Sequence, residues 1–122
     1  MERRKLYEML LKRAKRLYED ALRSYNDGFY DLALVYLEQA LQLFLKAKAL
    51  EKYGKFPKTH NLRLLLEILD LKLSKEDILV LDLLEDAYIA GRYLEKEYSK
   101  EECEKALEFV KKIFDKYGFR VD

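Results

Sequence analysis

Between Leu32 and Ala47 the chain sets Leu32, Ala33, Leu34, Val35, Tyr36 and Leu37 in succession and follows them with Ala40, Leu41, Leu43, Phe44, Leu45 and Ala47. No Gly or Pro interrupts positions 29–53, so the stretch reads as one helix built of good helix formers. At 3.6 residues per turn these apolar positions cover more than one face, and a single neighbouring helix cannot bury such a surface. Two arrangements satisfy it. Either the helix is central in a bundle, or it is shared with a second subunit.

The rest of the chain is punctuated to match. Leu6, Leu10, Ala14, Leu17, Ala21 and Tyr25 recur in steps of three and four and predict a first helix from Glu2 to about Tyr25. Asn26-Asp27-Gly28 stops it, with Asp31 placed to cap the second helix, which ends at Gly54. Lys55 to Asn61 is the longest loop and holds the sole proline, Pro57; Thr59 or Asn61 can cap a short third helix through Leu62, Leu65, Leu66 and Leu69. Ser74 with Asp77 makes an imperfect capping box for a fourth helix, striped by Ile78, Leu81, Leu84 or Glu85, and Tyr88. Ser99 with Glu102 makes a full box for the fifth, whose inner face carries Ala106, Phe109, Val110 and Ile113 before Gly118. No strand-like alternation and no solenoid-length repeat occurs. The expectation is an all-α, five-helix up-and-down bundle forming one domain over residues 1–122.

Composition narrows the function classes. Twenty-four basic and 23 acidic side chains leave a net charge of +1, which argues against a generally basic nucleic-acid binder, although a local patch can sit inside a balanced total. One cysteine, Cys103, forbids an internal disulfide; with one histidine besides, no metal centre and no cofactor is expected. Cys103 reads as an inert residue near the start of the fifth helix. No apolar run approaches the ~20 residues that span a bilayer, and charges interrupt the residues after the basic start, so a cytoplasmic protein is expected. Abundant Lys and Glu beside two Asn and two Gln suggest a heat-adapted source.

Four segments occur in a telling order: Gly28-Phe29-Tyr30-Asp31-Leu32-Ala33, then Gln39-Ala40 followed by Lys46-Ala47, then Pro57-Lys58-Thr59-His60-Asn61-Leu62, then Ala87-Tyr88-Ile89-Ala90-Gly91-Arg92-Tyr93. Over nearly the whole chain this set resembles the HEPN family (higher eukaryotes and prokaryotes nucleotide-binding domain). The resemblance implies a five-helix bundle that commonly forms a symmetric dimer. It also implies kinship with metal-independent ribonucleases, often the toxin paired with a minimal nucleotidyltransferase antitoxin. The active motif of such members is an Arg, four to six residues, then a His at the end of the fourth helix, two copies meeting in a dimer cleft. The Arg would hold phosphate and the His would support attack by the ribose 2′-hydroxyl, a nucleophile that DNA lacks.

Arg92 and Tyr93 match the start of that motif, but Glu97, Tyr98 and Ser99 stand at the positions where His is called for. In the second helix the usual acidic position is the neutral amide Gln42. An exposed Glu97 would be ionised and a poor proton donor at neutral pH. Arg92 is read as a phosphate or dimer-cleft residue, against the plainer role of a cation at a helix C-terminus. Tyr93 and Tyr98 are read as packing or hydrogen-bonding residues, with base stacking as the other reading. Thr59 and His60 are read as structural residues entering the third helix. Lys46, deep in an apolar helix, must reach solvent or find a partner, either a ligand phosphate or a carboxylate such as Glu85 or Asp86. Arg3, Arg4, Lys5, Lys12, Arg13, Lys15 and Arg16 are read as a solvated face paired with Glu2, Glu8, Glu19 and Asp20, tracking of phosphates being the other reading.

The expected function is that of a non-catalytic or weakly active HEPN protein. It would be a homodimer through the second helix and the end of the fourth, binding a nucleotide or RNA beside a nucleotidyltransferase partner. The alternatives are an active metal-independent endoribonuclease using Arg92 with Glu97, Tyr98 or His60, and a ligand-free helical scaffold.

Overall fold

The structure, a computed structural model, describes residues 2–55, 57–93 and 96–121, with the backbone alone for 91–93. Five helices follow one another: α1 (Arg3–Asn26), α2 (Tyr30–Tyr53), α3 (Leu62–Ile68), α4 (Lys75–Tyr93) and α5 (Lys100–Lys116). No strand occurs among the described residues. None of the described helices is long and apolar enough to cross a membrane.

Local chemistry sets most of the boundaries. α1 ends where Phe29 N–H reaches the Ser24 carbonyl at 2.8 Å and Gly28 adopts φ 81°, a left-handed turn that an L side chain would resist. α2 begins at Tyr30 with Phe29 in the cap position and no side-chain cap; Asp31, expected to cap, lies in the first turn, where its charge still favours the helix N-terminus. Asn61, rather than Thr59, caps α3 by accepting from Leu64 N–H at 3.1 Å, while the Thr59 hydroxyl accepts from Asn61 N–H at 3.1 Å. The box at Ser74 is complete despite the shorter acid: Ser74 N–H donates to Asp77 at 3.0 Å and Asp77 N–H to Ser74 Oγ at 3.1 Å. Ser99 and Glu102 form the reciprocal pair that starts α5.

Pairs between helices establish the directions. Lys48, late in α2, donates to the hydroxyl of Tyr7, early in α1, at 2.9 Å. Lys112, late in α5, meets Asp77, early in α4, at 2.8 Å. The charge of Asp31, at the start of α2, acts on Tyr98, just beyond α4. Consecutive long helices are therefore antiparallel, as an up-and-down bundle requires.

α2 lies at the centre, with α1, α3, α4 and α5 all packed on it. Its buried apolar side chains, from Ala33 to Leu50, face those neighbours within one chain. The apolar coverage is thus that of a central helix, and α2 by itself does not call for a second subunit. Around Phe44 the rings of Phe114, Phe119 and Tyr117 stand at 4.7, 5.0 and 5.5 Å between centroids. Lys48 places its ammonium 5.4 to 5.5 Å from the rings of Tyr7, Phe44 and Tyr117, so a cation–π contact ties α1, α2 and the end of α5 together.

Candidate functional site

Three polar side chains interrupt the buried surface of α2 at intervals of four: Glu38, Gln42 and Lys46, exposed by 1, 6 and 8 %. A four-residue interval stacks side chains along one helix face, so they form a continuous polar line inside an apolar setting. Gln42 Nε2 donates to Glu38 Oε2 at 3.2 Å, which turns its own Oε1 outward. That oxygen lies 2.8 Å from His60 Nδ1. An amide oxygen can only accept, so Nδ1 is the donor in this contact. His60, an exposed residue of the loop before α3, is thereby fastened to the middle of α2.

Lys46 is held with its pKa below the ordinary lysine value by burial, an effect opposed by the charge of Glu38. Among the described residues, a carboxylate acting on it is thus on its own helix. Asp86, one of the two carboxylates considered for that role, is engaged elsewhere, and Glu85 is half-buried on α4. Glu38 is the residue that sequence reasoning passed over; its signal was the recurrence of polar residues at 38, 42 and 46 in an otherwise apolar stretch.

At the end of α4 the backbone of Arg92 and Tyr93 is helical, and their side chains lie outside the described residues. Residues 96–98, just before α5, are tied to α4. Asp86 accepts from the Tyr98 hydroxyl at 2.8 Å and from Lys96 Nζ at 2.5 Å. Lys96 and Tyr98 are thus latched onto α4 before α5 begins. Lys96 and Tyr98, donating to Asp86, hold its carboxyl below the usual carboxylate range. Burial and the same carboxylate push the Tyr98 hydroxyl well above the usual tyrosine value, so it stays protonated and committed to Asp86. Glu97 is exposed and makes no hydrogen bond or ion pair among the described residues.

The latch gives a prediction. Asp86→Asn should release Lys96 and weaken the Tyr98 contact, at a cost of about 1 kcal/mol because the pair is half exposed. Backbone amides of residues 96–98 should then exchange with solvent faster while those of α2 do not change. Equal exchange in the two proteins would refute the latch.

The described partner of His60 is Gln42, in the middle of α2. The neighbouring Arg63 meets Asp82 of α4 at 2.9 Å. The described contacts join His60 to the α2 polar line and Tyr98 to Asp86. Cys103 is fully buried with its thiol pushed up to about 12 by burial, so it is unreactive. A groove of about 660 Å³ runs between α4 and α5 over Val80, Leu83 and Phe109, and contains none of the candidate residues. Among the described residues no cluster of three His, Cys, Asp or Glu is disposed to hold a metal ion.

The HEPN domain model matches residues 7–118, nearly the whole chain. No curated protein and no solved structure matches it.

Proposed function

The chain belongs to the HEPN domain family, and from that premise we propose that it is a nucleotide- or RNA-binding member that does not cleave RNA. The observation that carries this reading is the latch. In the positions after Arg92 where proton transfer would be needed, Tyr98 is committed to Asp86 and Glu97 is exposed to solvent. A general acid–base must lie within hydrogen-bond reach of the proton it moves and titrate near the working pH. Tyr98 fails the second condition, and the described partner of His60 is Gln42 on α2. Arg92 and Tyr93 remain as the anion anchor and its aromatic neighbour.

Dimerisation belongs to the same proposal, on a footing other than α2's burial. Phe29, Leu32 and Ile89 are exposed by 57, 41 and 63 % near the start of α2 and the end of α4, and exposed apolar side chains suit a contact with a second copy. The family resemblance extends the proposal to a nucleotidyltransferase partner and descent from the toxin half of such a pair, which co-purification with that enzyme would test.

Purified protein incubated with RNA in EDTA should yield no 2′,3′-cyclic phosphate ends. Arg92→Ala should weaken binding of a nucleoside phosphate or short RNA about tenfold, the scale of one lost charge-assisted hydrogen bond. Cleavage that disappears in Arg92→Ala would overturn the non-cleaving reading, and unchanged affinity would overturn the role of Arg92.

A further inference from the structure

The near-neutral total conceals a separation of charge. Residues 2–16 hold seven basic and two acidic side chains, whereas 75–108 hold eleven acidic and five basic ones. The first group opens α1; the second spans α4 and the start of α5, and α1 and α4 pack on different faces of α2.

The carboxylates on α1 do not neutralise its cations. Arg4 pairs with Glu8 at 3.3 Å and Arg23 with Asp20, but Lys5, Lys12, Arg13, Lys15 and Arg16 are exposed and make no ion pair or hydrogen bond among the described residues. The pairing expected along this face is thus largely absent. At 100° per residue Lys5, Lys12 and Arg16 fall within about 40° of one line, and Arg23 continues it. The line runs about 27 Å from Lys5 to Arg23 at 1.5 Å per residue. Arg13 and Lys15 flank it on either side.

We infer that this face of α1 is a track for the phosphodiester backbone of a nucleic acid. A row of solvated cations matches a polymer with evenly spaced charges, and the acidic α4–α5 side orients an approaching polyanion onto α1 rather than elsewhere. An anionic membrane is disfavoured as the occupant. An interfacial helix must offer an apolar face to the lipid, and that face of α1, with Leu10, Ala14, Tyr18 and Ala21, is buried in the bundle. The track starts at the pole opposite the end of α4, where Tyr7 meets Lys48, and does not depend on the role given to Arg92.

The test is the affinity of a short 5′-labelled RNA, read by fluorescence anisotropy between about 50 and 200 mM salt. The variant Lys5→Gln/Lys12→Gln/Arg16→Gln is compared with Lys72→Gln/Lys75→Gln/Lys105→Gln, which removes the same charge elsewhere; circular dichroism checks that both are folded. The first should lose roughly tenfold in affinity at the lowest salt, and its slope of log affinity against log salt should fall by about 2. The second should stay near the wild type. Absence of RNA binding by the wild type, equal losses in the two variants, or no loss in either would overturn the track. So would binding to phosphatidylserine vesicles in preference to RNA. A loss confined to Arg92→Ala would overturn the track and leave the Arg92 reading standing; a loss confined to the α1 variant would do the reverse.

Discussion

Phe114→Ala is expected to cost about 3–5 kcal/mol, the range for emptying a packed aromatic site. Phe114 is fully buried, and its ring lies 5.5, 4.7 and 5.1 Å from those of Tyr18, Phe44 and Phe119. These partners come from α1, α2 and the segment after α5, so the void would open where three parts of the chain meet. They cannot all close on it, because each is held by its own helix or by the α5 turn, in which Phe119 N–H donates to the Phe114 carbonyl at 2.9 Å. Urea unfolding should show the loss as a lower midpoint with little change in slope. Phe114→Leu, which retains most of the volume, should lose much less. A cost below about 1 kcal/mol for the alanine variant would mean that the cluster is not the keystone of the bundle.

Glu38→Ala is the second large effect, expected at about 3 kcal/mol, the low end for removing one member of a buried charged set. The substitution takes the acceptor from Gln42 and the opposing charge from Lys46. Glu38→Gln, which keeps an acceptor but not the charge, should cost less. The pH dependence separates the two contributions. Lys46 titrates below the ordinary lysine value in the folded state, so between those two pKa values the unfolded chain binds more protons and stability rises with pH. The burial penalty is fully present at neutral pH and is relieved only in that alkaline window. Removing Glu38 lowers the folded pKa further and opens the window at lower pH. Glu38→Ala should therefore recover more stability between pH 7 and 9 than the wild type gains, measured by urea unfolding at the two values. An identical gain in both proteins would show that Glu38 does not support the charge on Lys46.

The number, order and approximate ends of the helices were legible because Gly, Asn, Ser and Asp punctuate regular apolar stripes, and those signals are local. The surroundings of α2 were legible only as a choice between two arrangements. Periodicity tells how much of a helix must be covered, not which chain covers it. The latch was not legible for a related reason. Asp86 and Tyr98 lie twelve residues apart across a helix end, and their contact depends on how the chain turns between them. The charge acting on Lys46 was hidden because Glu38 stands two turns away on the same helix, farther in sequence than side chains usually meet. On α1 the sequence offered enough carboxylates for pairing, but only geometry could show that Glu8 and Asp20, among the described residues, pair with Arg4 and Arg23 alone. The family motifs, by contrast, were recoverable from residue identity alone, including the absence of histidine after Arg92.

The fixed ring of His60 also makes the protein its own reporter. It is the sole histidine in the chain, and the oxygen of Gln42 dictates which ring nitrogen bears hydrogen. Its imidazole resonances therefore stand free of overlap in a proton–nitrogen spectrum and carry the signature of one tautomer. Departure of the loop before α3 from α2 would let the ring sample both tautomers, so the nitrogen shifts would follow that motion in the wild-type chain, with no probe introduced by mutation.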